Sequence, residues 1–175
     1  THLLLQLVGE ILDLRKVQTN KAELVLNRFD LQKALTLWSE DFRTIAIRRK
    51  LTITVDTSTV KEEPIIIADR DKISHVFFNL MSNALKYTPK GGSINISLAY
   101  TNHTYTIKVS DTGKGVAKEE LPRLFERFYQ ARGAEGGTGI GLSIVKAFVE
   151  LHKGEVHGES AVSYTHLTLP TKRIV

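Results

Sequence analysis

Apolar positions along this chain follow two periods in turn. Residues 3–17, LLLQLVGEILDLRKV, place Leu4, Leu7, Val8, Ile11, Leu12 and Leu14 on a wide stripe with helical spacing. The stripe suits a core helix and one helix of a coiled coil or bundle equally. After a polar break at 18–21, ELVLNRFDL alternates Leu24, Leu26 and Phe29 as a short strand. Asp30 is a candidate N-cap for a helix from 31 to about 48, with Leu35, Trp38, Phe42 and Ile45 on one face. LTITVD alternates as a strand, 61–64 is a loop, and IIIA at 65–68 is a short buried strand. Asp69 or Asp71 opens a helix that runs to about Tyr87, where Pro89, Gly91 and Gly92 end it. SINISLAY and TYTIKVS form an expected hairpin around a turn at 101–104. A glycine-rich stretch at 111–141 contains a short helical piece near 119–128. LSIVKAFVELH is then helical, and GEVHG begins a strand. This order predicts an α+β fold, a two-layer α/β sandwich with helices on one face of a mixed sheet.

A length of 175 residues allows one domain with an appendage. The hydrophobic share of 42% suffices for a core, and the charged share of 25% suits an ordinary soluble surface. No apolar run approaches the ~20 residues of a spanning helix, and the start lacks the plan of a signal peptide. The absence of cysteine excludes a disulfide scaffold or thiolate metal site and suits a reducing compartment. Of the formal charge of +5, Lys172 and Arg173 contribute two units from a stretch, 161–175, that holds no acid. The remainder is too mildly basic to indicate nucleic acid, and no basic stripe with interleaved aromatics is present. It suits a polyanionic small ligand.

Three segments carry candidate chemistry. On the helix ending at Tyr87, Ile73, Val76, Phe77, Leu80 and Ala84 form the core face, whereas Asn79, Asn83 and Lys86 fall at i, i+4 and i+7. Two aligned asparagines cost helix stability unless they bond something. An amide oxygen suits Mg²⁺, and a lysine one turn on can reach a phosphate; a solvated polar face is the plain alternative. DTGKG at 111–115 directly follows a strand. Its aspartate can accept a hydrogen bond from the exocyclic amine of a base, and its glycines let a flat ring approach; an ordinary turn would read the same way. GGTGIGLSIVK at 136–146 opens a helix with glycines, where exposed amides and the helix dipole favour phosphate. It is neither a Walker loop nor a dinucleotide fingerprint.

The order Asn-x₃-Asn-Ala-x-Lys-Tyr, then Asp-x-Gly-x-Gly, Leu-Phe-Glu-Arg-Phe-Tyr and Gly-Thr-Gly-Ile-Gly-Leu resembles the N, G1, F and G2 boxes of sensor histidine kinases. These belong to the ATPase superfamily shared with DNA gyrase, MutL and a heat-shock chaperone, built on the Bergerat fold. The resemblance implies ATP and Mg²⁺ as cofactors. It implies Asn83 as the Mg²⁺ ligand, Asn79 beside the phosphates, Lys86 as a phosphate contact, and Tyr87 and Leu142 next to the nucleotide. Asp111 resembles the adenine-reading acid, with Gly113 and Gly115 shaping the pocket. Phe125 and Phe128 resemble the aromatic box that anchors a mobile lid, and Arg127 is expected to reach phosphate. Gly137, Gly139 and Gly141 are expected to hinge the lid and offer amides, with Thr138 close by.

By the same resemblance, residues 1–20 are the end of the second helix of a dimerisation and phosphotransfer domain, and 21–160 are the catalytic domain, truncated at its last strand. The expected reaction is transfer of the ATP γ-phosphoryl group to a histidine on that dimerisation domain, for relay to a response regulator receiver domain. The whole protein is then expected to be a homodimer whose cytoplasmic kinase domain belongs to a membrane-anchored bacterial sensor, with no nucleic acid as partner. His2, His75, His103, His152 and His157 stand outside the family's acceptor setting, so the acceptor is expected elsewhere in the protein. The lid holds only ARGAE at 131–135. Residues 161–175, AVSYTHLTLPTKRIV, lack the family's alternating strand pattern and resemble the translation of a sequencing adapter. The expectation is an unpaired sheet edge there. Two other readings of the same pocket remain: a serine kinase or ATPase of this fold, and a nucleotide sensor without catalysis.

Overall fold

The computed structural model describes residues 23–60, 63–132, 136–160 and, for the backbone, 163–170; the helix expected at 3–17 lies outside them. Among the described residues, five strands form the main sheet in the order β2 (Thr52–Asp56), β4 (Ser93–Thr101), β5 (Thr104–Asp111), β7 (Ser163–Pro170), β6 (Glu155–Ser160). Only β2 and β4 run parallel. A parallel neighbour needs a long crossover, and this one contains β3 (Ile65–Ala68) and α2 (Arg70–Tyr87). β3 pairs with β1 (Asn27–Asp30) in a separate two-stranded sheet. The α+β sandwich with a mixed sheet is thus observed.

The hairpin alternates as its sequence demands. Ile94, Ile96 and Leu98 of β4, and Tyr105, Ile107 and Val109 of β5, are all buried. They meet α2 through Ile73, Val76, Phe77, Leu80, Met81, Ala84 and Leu85, and α3 (Gly141–Leu151) through Ile144, Val145, Phe148 and Val149. α1 (Leu31–Arg49) adds Leu31, Leu35, Trp38, Phe42 and Ala46, with the Trp38 and Phe77 rings 5.9 Å apart. Asp30 and Asp69 cap α1 and α2 by accepting from the amides of Lys33 and Lys72, which selects Asp69 over Asp71 as the start of the second helix.

Four expectations are corrected. Leu26, expected inward, is exposed and precedes the strand, which starts only at Asn27, where pairing with β3 begins. Ile45 is exposed; the helical period of α1 brings Ala46 inward instead. The helical piece near 119–128 reduces to a 3₁₀ turn at Leu121–Arg123, which starts without a side-chain cap and passes into turns from Leu124 on. The edge expected to stay unpaired is filled: β7 lies between β5 and β6, with Val109 opposite Thr165 and Gly158 opposite Thr165 on the other side.

Candidate nucleotide site

A cleft of about 590 Å³ opens between α2, the end of β5 and the glycine-rich segment before α3. That volume lies within the usual range for small-molecule sites. The expected residues that line it are Asn79, Asn83, Lys86, Tyr87, Asp111, Gly115, Gly137, Thr138, Gly139, Gly141 and Leu142. Three motifs far apart in sequence therefore share one concave surface.

The α2 wall is set by its helical spacing. The amide nitrogen of Asn79 donates to His75 O at 3.0 Å, which turns its oxygen toward α3: a Cβ on Gly141 would lie 2.6 Å from Asn79 Oδ1. A side chain at 141 would thus collide with the asparagine; Gly141 and Leu142, which open α3, line the cleft, and a helix start of this kind favours an anion. Lys86 Nζ donates to Gly136 O and lies 4.8 Å from the centre of the Tyr87 ring.

The β5 end contributes Asp111, only 8% exposed. Its Oδ1 accepts the Gly113 amide at 2.7 Å. Gly113 does not line the cleft but backs it; a Cβ there would come within 2.5 Å of Asp111 Oδ1 and 2.7 Å of Tyr87 O. Gly137 and Gly139 adopt φ of +113° and +69°, a region costly for other residues. Thr138 Oγ1 accepts the Ile140 amide at 3.2 Å.

Arg127 and Phe125 do not line the cleft, and Arg127 is exposed, because the turns after the 3₁₀ segment direct it to solvent. Phe128 is also outside the cleft, and the residue is 68% exposed. The aromatic box nevertheless engages the glycine loop through main chain: the Phe128 amide donates to Gly139 O at 2.8 Å, and a Cβ on Gly139 would lie 2.7 Å from Phe128 Cα.

Residues missed from the sequence are Lys114, Glu120, Tyr129, Gln130 and Arg132, all lining the cleft. Glu120 Oε1 accepts from the Arg132 amide at 2.8 Å and from Tyr129 OH at 3.0 Å. The Arg132 amide, foremost, and the Tyr129 hydroxyl hold the Glu120 carboxyl below its ordinary range. Gln130 Nε2 donates to Gly137 O at 2.8 Å. Lys114 occupies the variable position of DTGKG. Glu120 carried no periodic signal, since its partners lie 9 and 12 positions away.

Among the described residues no three His, Asp or Glu gather into a metal cage. A divalent cation here would have an amide oxygen such as that of Asn83, with ligand oxygens and water completing its shell, the kind of coordination that suits Mg²⁺. Of the histidines, His75 stacks edge-on against Phe148 at 5.5 Å, and His103 sits in the hairpin turn. His152 bridges two elements: its Nε2 accepts the Asp69 amide at 3.0 Å and its Nδ1 donates to Phe148 O at 2.7 Å. His157 lies beside Glu155 on β6, and His2 is outside the described residues. No helix among the described residues is long and apolar enough to cross a membrane.

The family model described as "Histidine kinase-, DNA gyrase B-, and HSP90-like ATPase" matches residues 68–173. Histidine protein kinase DivJ of Caulobacter vibrioides is 36% identical over 90% of this chain and 26% of its own length. Sensor histidine kinase TmoS of Ectopseudomonas mendocina is 38% identical over 87% of the chain and 16% of its own. The chain thus spans about a quarter or less of these relatives. Full-length ShkA in complex with AMPPNP superposes with a TM-score of 0.88 at 25% identity, covering 98% of this chain and 36% of that one. ThkA in complex with the response regulator protein TrrA superposes with a TM-score of 0.76 at 20% identity, covering 95% of this chain and 48% of that one, a likeness of fold.

Proposed function

Since the chain belongs to the histidine kinase-, DNA gyrase B- and HSP90-like ATPase family and is an ATP-binding catalytic domain of the sensor histidine kinase kind, we propose that it supplies the γ-phosphoryl group of ATP to a histidine on the dimerisation domain of its own protein. One observation carries this reading: Asn79, Asn83 and Lys86, Asp111, and Gly137, Gly139 and Gly141 converge on one cleft. In it, Asp111 accepts from the adenine amine, Lys86 and the amides opening α3 meet the phosphates, and Asn79 stands beside them. Tyr87 and Leu142 flank the nucleotide, with Gly115 and Thr138 at its rim. Asn83 holds Mg²⁺, which when bound neutralises phosphate charge.

Phosphoryl transfer asks mainly for charge neutralisation and alignment. An unprotonated imidazole nitrogen bonds to the γ-phosphorus, the bond from that phosphorus to the β–γ bridging oxygen breaks, and ADP leaves. The phosphoryl group then passes to a response regulator, a step supported by the assembly described for ThkA. The whole protein is read as a homodimer, with this domain on the cytoplasmic side of a membrane-anchored sensor. Arg127 is assigned no part in the transfer, because its side chain lies outside the cleft.

The test is incubation with γ-labelled ATP, with and without a histidine-bearing dimerisation bundle from a relative such as DivJ. The expected result is acid-labile, base-stable phosphate on the bundle and none on the chain alone. Release of phosphate without transfer would favour an ATPase, and acid-stable phosphate on serine would favour a serine kinase. Label on His75 would relocate the acceptor.

A further inference from the structure

Arg49 lies outside the cleft, at the last turn of α1, and its guanidinium donates to two main-chain carbonyls at the end of α2. These are Leu85 O and, at 2.9 Å, Thr88 O. Carbonyls at a helix end run out of intrahelical partners, and a cation there is favoured by the helix dipole. A planar fork of fixed donors can hold two such oxygens at once, which an ammonium does less well.

The segment that Arg49 grips leads straight to the cleft. Lys86 and Tyr87 lie between the two carbonyls it holds. Beyond Thr88, the Gly91 amide donates to Lys50 O at 3.1 Å and the Thr52 amide to Gly92 O at 3.0 Å, so the chain is folded over the end of α1. Gly92 in turn has no room for a side chain; a Cβ would lie 2.5 Å from Thr88 Cγ2 and 2.6 Å from Thr112 Oγ1. Thr112 is bonded to Ser93 in both directions, accepting its amide at 2.9 Å and donating to its carbonyl at 3.0 Å. On either side of Thr112 stand Asp111 and Gly113, with Gly113 against Tyr87 O. The contacts run without a gap from Arg49 to the carboxylate that faces the base.

We propose that Arg49 is a positioning residue of the nucleotide site. By holding Leu85 and Thr88 it fixes where Lys86 and Tyr87 leave α2, and it seats the turn that carries Asp111 and Gly113. This inference rests on reading the cleft as an ATP site, and its test separates the two. Three full-chain variants are compared with wild type: Arg49→Met, Arg49→Gln with one donor group left, and Asp30→Ala. The last removes the cap at the opposite end of α1, away from the cleft.

Two quantities are read, ATP affinity by calorimetry and exchange of the Gly113 amide without nucleotide. Arg49→Met should bind ATP roughly tenfold more weakly, the scale of one lost charge-assisted hydrogen bond, and should exchange Gly113 faster. Arg49→Gln should fall between, and Asp30→Ala should lower Tm while leaving both quantities alone. Wild-type affinity and Gly113 exchange in Arg49→Met, at a Tm no higher than that of Asp30→Ala, would overturn the proposal. If Arg49→Met does not fold, unchanged values in Arg49→Gln would do so. A wild-type chain that binds no ATP would end the functional reading, and Gly113 exchange alone would then decide the role of Arg49.

Discussion

The side-chain oxygen of Asn79 points at Gly141 so closely that a Cβ on the glycine would stand 2.6 Å from it, while the same side chain's nitrogen is tied to His75 O. The asparagine helix and the glycine loop thus fit each other as well as any ligand. Gly141→Ala should force the Asn79 amide out of place. Loss of its bond to His75 should cost about 1 kcal/mol or less in stability. ATP affinity should fall further, by roughly tenfold if one phosphate contact is lost. Calorimetry alongside thermal melting checks this; equal affinity would show that the two motifs touch without cooperating.

The proposed base recognition rests on Asp111, which lines the cleft. Asp111→Asn keeps an oxygen for the Gly113 amide but replaces an acceptor by a donor toward the ligand. Affinity for ATP should fall by about 10-fold to 150-fold, the equivalent of ~1.5–3 kcal/mol for a buried charged hydrogen bond. Unchanged affinity would remove Asp111 from the adenine site.

β7 should be essential to the sheet. It makes two ladders, with β5 and with β6, and a central strand cannot spare its amides. Thr165→Pro, opposite both Val109 and Gly158, should lower Tm by roughly 10 °C, about 3 kcal/mol at the usual 2–4 °C per kcal/mol for a chain of this size. Deleting 161–175 should do at least as much. A melting temperature within error of the wild type would show that the strand does not form.

Acid should destabilise the domain in two stages. Burial, opposed by the Phe148 carbonyl and Asp69, pushes the His152 imidazole below its ordinary pKa of about 6.5. Between that folded value and 6.5 the unfolded chain binds a proton that the folded one refuses, so stability declines as pH falls below 6.5. For Asp69, burial acts upward but is outweighed by the Lys72 side chain and the amides of Val25 and Lys72, which hold the carboxyl below 3.8. Its contribution is present above 3.8 and is lost as pH falls through the folded value. Urea melts from pH 7.5 to 3 should show both losses, and His152→Gln should flatten the first alone. A slope between pH 7 and 5 unchanged in that variant would mean that other groups cause it.

Much of this architecture could be read from side-chain period. The hairpin, α1, α2 and the residues of the asparagine helix follow from local spacing, and local spacing is what a helix or strand preserves. Asp111 and the G2 glycines were recognisable because each combines a turn with a candidate ligand contact. Glu120 was not, because its role arises from the Tyr129 hydroxyl and Arg132 amide meeting it across a loop. Phe128 was misjudged for a related reason: its main chain, at φ of +59°, makes the contact that its ring was expected to make. β7 was missed because its pairing depends on the gap left between β5 and β6, which no local pattern in 161–175 announces.

The most direct measurement of the central claim is calorimetric titration of ATP into wild type and Asn83→Ala, each with Mg²⁺ and with chelator. The account predicts one site in the wild type that binds more tightly with Mg²⁺. It predicts that Asn83→Ala loses this magnesium-dependent gain, roughly tenfold for a metal-held contact, while matching wild type in chelator. Absence of ATP binding, or an equal loss for Asn83→Ala in both conditions, would contradict it.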